Sequence, residues 1–127
     1  MSGPAKPHNQ AFLDIVNDAK TRVQQIDIDE FQRLRESGDE YVLVDVREDS
    51  EWSAGHAVGA MHLGKGVIER DIESKIPDKS MKLVLYCGGG FRSALAADAV
   101  QHMGYTDVIS LDGGWRAYTG SGLPVEK

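Results

Sequence analysis

Two rhythms of apolar residues run along this chain. Phe12, Ile15, Val16, Ala19 and Val23 recur at helical spacing and predict an amphipathic helix over residues 11–23, with Asn9 as its candidate cap. Four-residue apolar runs form the second rhythm. Tyr41–Val44, Leu83–Tyr86 and Val108–Leu111 are rich in β-formers and lack alternation, the pattern of strands buried on both faces. Residues 60–63, with His62 among three apolar residues, predict another short strand. Between the runs, helical spacing returns at 28–36, 48–54, 67–76 and from Ser93 to Met103, and a last short helix follows Trp115. Punctuation agrees with these boundaries. Asp27 and Glu30 make a capping box, Gly38, Gly55 and Gly104 are stops, and Pro77 ends a helix. Strands alternating with helices predict an α/β fold whose mostly parallel sheet carries helices on both faces. There is no internal repeat or low-complexity linker.

Composition narrows the class. At 127 residues the chain is the size of one domain, long enough to bury roughly two-thirds of its unfolded surface. A single cysteine excludes an internal disulfide, so the fold needs no oxidising compartment. No apolar run approaches the ~20 residues of a membrane span, and residues 1–10 read as a loose tail without a secretory signal. A cytoplasmic location is expected. The net charge is −6 with Lys and Arg thinly spread, which argues against nucleic-acid and acidic-membrane partners.

The candidate chemistry lies where the 14 glycines concentrate. Cys87 follows the strand 83–86 directly, the position just beyond a strand's carboxyl end where open α/β sheets bind ligands. Gly88, Gly89 and Gly90 come next, then Phe91, Arg92 and Ser93. Three glycines let the backbone turn its N–H groups inward as an anion nest. The helix start, with Ser93 as the expected cap, adds unsatisfied donors, and Arg92 adds a positive charge. Such surroundings favour an anionic, nucleophilic sulfur. A merely buried core cysteine would not need the glycines. The loop also lacks the Gly-Lys-Ser/Thr ending of a nucleotide loop and the Gly-x-Gly-x-x-Gly of a dinucleotide fold.

Four stretches, in order, resemble the single-domain branch of the rhodanese superfamily. They are Val44-Asp45-Val46-Arg47-Glu48 with Glu51-Trp52, then Gly55 to Ala60, then Leu85-Tyr86-Cys87 with Gly88 to Ser93, then Leu111-Asp112-Gly113-Gly114-Trp115. The resemblance covers residues 26–125 as a rhodanese-like domain and leaves 1–25 as a tail and an extra helix. It implies a sheet of five mostly parallel strands and sulfur transfer through a cysteine persulfide, with Cys87 as nucleophile and Gly88–Arg92 as the loop that binds it. Sulfurtransferases of this superfamily have a six-residue loop. The related phosphatases and arsenate reductases place five residues between cysteine and arginine. Here four lie between Cys87 and Arg92, which favours sulfur.

The expected reaction moves a sulfane sulfur from a small donor, thiosulfate or a persulfide, to cyanide or a thiol. With no second cysteine, the acceptor must come from outside, as a small thiol or on a partner protein. The alternatives are a sulfur-carrier or partner-binding module and, behind it, a phosphatase- or arsenate-reductase-like enzyme. No cofactor is expected, and no metal, since His8, His62 and His102 share no ligand spacing. Asp45 and Arg47 sit beside the loop. Arg47 either steers an anionic donor or, the favoured reading, pairs with Asp45 to fix the loops. His56 reads as a turn histidine bonded to backbone rather than a base, and Trp52 and Trp115 as packing anchors.

Overall fold

The computed structural model describes residues 8–127. Its helices are α1 (Gln10–Lys20), α2 (Ile28–Ser37), α3 (Asp49–Ala54), α4 (Ile68–Lys75), α5 (Phe91–His102) and α6 (Gly114–Gly120). Its strands are β1 (Gln24–Ile26), β2 (Val42–Asp45), β3 (His56–Ala57), β4 (Met61–His62), β5 (Leu83–Tyr86), β6 (Val108–Leu111) and β7 (Val125–Glu126). The expectation for the tail falls, over residues 1–7, outside the described residues.

Five strands form one sheet in the order β1-β6-β5-β2-β4, and every pairing in it is parallel rather than mostly so. β3 and β7 make a separate antiparallel clasp, His56 opposite Glu126 and Ala57 opposite Val125. Helices cover both faces, as parallel sheets require. On one face Ile68, Ile72, Ala96, Ala97 and Val100 of α4 and α5 pack on Val44, Leu83 and Leu85. On the other, Phe31 of α2 and Tyr118 of α6 pack on Leu43, Val84 and Tyr86. Phe31 is fully buried, a contribution of roughly 1.5–3 kcal/mol from transfer alone.

Local sequence explains most boundaries. Asp27 accepts from the Glu30 amide at 2.8 Å while Glu30 accepts from the Asp27 amide at 3.2 Å, and Gly38 closes α2 at φ 82°. Three expectations need correction. Asn9 occupies the α1 cap position, but its side chain makes no capping bond. Val23 leads into the strand β1, because two glutamines and one isoleucine are enough for an edge strand paired on one side. α5 begins at Phe91, two residues early, with Gly90 at its cap in the left-handed region; Ser93 is its third residue and does not cap it.

α1 is no loose appendage. It packs along α5 and buries Val16 and Ala19. Arg22 just beyond it binds the Asp98 carboxylate of α5 through Nε at 3.0 Å and Nη2 at 2.8 Å. No helix among the described residues is long and apolar enough to cross a membrane.

Candidate active site

Cys87 stands at the end of β5, the central strand, and its carbonyl and its sulfur are held from different directions. The sulfur receives two backbone N–H groups, from Gly90 at 3.2 Å and Ser93 at 3.3 Å. Its own contact with Ser93 Oγ is 3.5 Å. Ser93 Oγ in turn lies 2.8 Å from Ser110 Oγ on β6, a pair in which either hydroxyl can donate. Cys87, Ser93 and Ser110 are all buried. Because α5 starts early, the amide of Ser93 still points out of the helix's first turn, where N–H groups have no intrahelical partner. The nest is therefore half loop and half helix. Of the three glycines in the loop, only Gly90 has a positive φ, 105°. Gly88 serves differently, since a Cβ there would stand 3.1 Å from Arg92 Nη2.

A second helix start holds the loop from the opposite side. The Trp115 amide donates to the Cys87 carbonyl at 2.7 Å, and the Arg116 amide to the Gly88 carbonyl at 3.2 Å. This needs Gly114, whose φ is 48° and where a Cβ would collide with the Cys87 carbonyl oxygen and lie 3.0 Å from the Gly88 carbonyl carbon. The Asp112-Gly113-Gly114 turn, legible in the sequence only as a turn, is what seats α6 against the loop.

Arg92 does not act as an unopposed charge over the sulfur. Its guanidinium forms a two-pronged pair with Glu51 of α3, Nη1 to Oε1 at 2.7 Å and Nη2 to Oε2 at 3.1 Å. The Arg92 contact holds the Glu51 carboxyl below its ordinary range, and Glu51 raises Arg92 reciprocally. Both side chains stay about a third exposed.

Asp45 and Arg47 form a buried ion pair, the contact on which the structural reading rests. Arg47 is only 3% exposed and donates to both Asp45 oxygens, Nη2 to Oδ2 at 2.7 Å, and to the Gly55 carbonyl at 2.7 Å. Tyr86 donates its hydroxyl to the same Oδ2 at 2.5 Å and accepts from the Ala57 amide. Burial opposes the Arg47 charge, but Asp45 outweighs it and holds the guanidinium above its ordinary value. Burial pushes the Tyr86 phenol up. Arg47 ties β2 to the β3 segment and lies 4.5 Å from the centre of the Trp115 ring. His56 Nδ1 bonds the Trp52 carbonyl at 3.0 Å, with the two rings stacked at 3.4 Å.

The space above the sulfur is a pocket of about 200 Å³ lined by His8, Phe12, Cys87, Gly88, Gly89, Phe91, Arg92 and Arg116. Three of these, His8, Phe12 and Arg116, were not legible as site residues. Phe12 carries the helical period of α1, and its membership depends on where that helix docks. Arg116 directly follows the Gly-Gly-Trp turn, its one local signal. It is exposed and in no ion pair among the described residues. A larger hollow of about 410 Å³ lies between residues 47–50 and 64–67 and does not reach Cys87. No group of three His, Cys, Asp or Glu side chains suited to a metal occurs among the described residues.

A parallel α/β sheet with a cysteine at the end of its central strand, cradled by a helix start, defines a class of thiol-bearing loop domain. Comparison with known proteins places the chain within that class: the sequence model of the Rhodanese-like domain matches residues 27–121, and the chain belongs to that family. It is 37% identical over 100 residues to the thiosulfate sulfurtransferase GlpE of Pseudomonas savastanoi pv. phaseolicola, covering 76% of this chain and 91% of that one. It is 39% identical over 80 residues to the probable adenylyltransferase/sulfurtransferase MoeZ of Mycobacterium tuberculosis, covering 62% of this chain and 20% of that one, so it spans only a fifth of that relative. Among solved structures it is similar to a Rhodopseudomonas palustris protein described as of unknown function and a possible tyrosine phosphatase. That match has a TM-score of 0.81 and 27% identity, and covers 98% of this chain and 100% of that one.

Proposed function

We propose that the chain is a sulfurtransferase in which Cys87 accepts a sulfane sulfur from a donor such as thiosulfate, holds it as a persulfide and hands it to cyanide or a thiol. The observation that carries this reading is the pair of amides, Gly90 and Ser93, aimed at the sulfur at 3.2 and 3.3 Å. Preorganised N–H donors stabilise charge where it sits without reorganising during reaction. In the first half, the Cys87 thiolate attacks the outer sulfur of thiosulfate. A new S–S bond forms, the donor's S–S bond breaks, and sulfite leaves with that electron pair. In the second half, the acceptor attacks the outer sulfur and the Cys87 thiolate leaves. With Cys87 anionic, Ser93 donates its hydroxyl to sulfur and accepts from Ser110. An S–S bond of about 2.05 Å carries the outer sulfur out of the buried cradle into the pocket. Similarity to GlpE supports the same reading. So does the commitment of Arg92 to Glu51, which leaves it poorly placed to clamp a phosphoryl group.

Intact mass after incubation with thiosulfate tests this directly. Wild type is expected to gain about 32 Da, one sulfur atom, lost again on adding cyanide or a thiol, as covalent catalysis requires. Cys87→Ser is expected to gain nothing. A folded wild type that stays unlabelled by thiosulfate yet hydrolyses an aryl phosphate overturns the proposal in favour of phosphatase chemistry.

A further inference from the structure

α3 is the one helix among the described residues that buries none of its side chains fully. Its six residues are too few to hold a helix by backbone bonds alone. Yet it carries Glu51, which fixes Arg92 at the Cys87 loop. What seats it is Trp52, whose ring stacks on two imidazoles, His56 of β3 at 3.4 Å and His62 of β4 at 4.9 Å. Each imidazole donates one N–H to a backbone carbonyl, His56 Nδ1 to Trp52 at 3.0 Å and His62 Nε2 to Arg47 at 2.9 Å. A carbonyl only accepts, so the lone pair of each neutral ring lies on its other nitrogen. Those nitrogens face carboxylates: His62 Nδ1 is 3.7 Å from Asp49 Oδ1, and His56 Nε2 is 3.4 Å from Glu126 Oε1. A lone pair there is repelled by the oxygen, whereas a proton turns each contact into an ion pair. Histidine is the side chain whose charge changes between about pH 5 and 8. Asp49 is the first residue of α3 and Trp52 its fourth. A charged His62 therefore grips the helix twice, by ion pair and by cation–π contact. The other charged groups at these faces are Arg47, closed on Asp45, and Glu48 and Lys65 at the hollow beside His62.

We propose that His62 is a positioning residue for the Cys87 loop, acting through α3 and Glu51 on Arg92, and that its hold tightens when its ring takes up a proton. The proton enters at Nδ1 and stays there; none is passed to the sulfur. His56 anchors the same indole and, with Glu126, does so across the β3–β7 clasp. The inference rests on the sulfurtransferase reading, since persulfide formation is the reaction whose loop is positioned.

The test measures the rate of persulfide formation from thiosulfate, by quenched intact mass, at about pH 5.5 and about pH 8, towards either end of the histidine range. Wild type is compared with Asp49→Asn and His62→Gln in the full chain. Dividing each variant's rate by the wild-type rate at the same pH cancels the titration of the thiol itself. His62→Gln keeps an amide donor for the Arg47 carbonyl but cannot take up charge. Asp49 is fully exposed, so its variant decides the matter if His62→Gln fails to fold. Both variants are expected to match wild type at about pH 8 and to be about 1.5- to five-fold slower at about pH 5.5, the range an exposed ion pair supplies. Asp49→Glu, which keeps the carboxylate, is expected to restore the wild-type rate. A rate ratio that is the same at both pH values in both variants overturns this inference and leaves the sulfurtransferase reading standing. A wild type that takes up no sulfur at either pH overturns that reading and this inference with it.

Discussion

The amide of Trp115 donates to the carbonyl oxygen of Cys87 at 2.7 Å, so the residue that bears the thiol hangs from a helix more than twenty positions further along the chain. Gly114 makes that approach possible, because any Cβ there runs into the Cys87 carbonyl. Gly114→Ala is therefore expected to lower stability by at least ~2 kcal/mol, through the positive φ and the clash together. It should also slow persulfide formation on molecules that remain folded. An unchanged urea midpoint with unchanged labelling rate would show that the loop does not depend on α6.

Arg47 leaves a charge stranded if its partner is removed. Asp45→Ala buries an unpaired guanidinium and strips Tyr86 of its acceptor, for an expected loss of about 3–5 kcal/mol. Asp45→Asn keeps an acceptor oxygen and is expected to cost less. Urea denaturation of both variants measures the difference, and equal losses would show that the charge alone matters and that the acceptor oxygen kept by asparagine contributes nothing.

Acid should loosen the loop through Glu51. Its carboxyl is held below the ordinary value by Arg92, so its stabilising effect is fully present above the unfolded value of about 4.3. That effect fades as pH falls through the lower folded value. Wild-type stability minus that of Glu51→Gln is expected to be flat above about pH 5 and to shrink below about pH 4. A difference independent of pH across that window would mean the pair contributes nothing.

Ser93 reaches the sulfur twice, by amide and by hydroxyl. Ser93→Ala keeps the amide but removes the hydroxyl, and it leaves Ser110 Oγ buried without its partner. Persulfide formation is expected to slow roughly ten-fold or more, the worth of one hydrogen bond to a charged group. Stability is expected to drop by about 1–3 kcal/mol. Rapid-quench mass measurement reads the first and denaturation the second; an unaltered labelling rate would assign sulfur binding to the amides alone.

The central strands were legible because buried parallel strands write apolar runs, unbroken at Leu83–Tyr86 and interrupted only by Ser110 at Val108–Leu111. The Cys87 loop was legible because three glycines in a row have few other uses. β1 was hidden by its length and its two glutamines, and β3 and β7 by having only two residues each. The role of Ser93 was misplaced because a Gly90 cap allows α5 to begin on a bulky Phe91. Arg92 looked like a free cation since Glu51 is forty-one positions away. Phe12 and His8 belong to the pocket only through the docking of α1 on α5, a tertiary fact that no local spacing records.

Gln24 finds its sheet partner in Ile109, and Arg22 its carboxylate in Asp98. About two-thirds of the chain must therefore be looped before this edge closes, a connection of high contact order whose entropy is lost before its contacts form. The wall that His8 and Phe12 lend to the pocket is tied to that late closure. During refolding, burial of the core and completion of the pocket are expected as separable events, with the sulfur cradle assembled before the cavity above it takes its final shape.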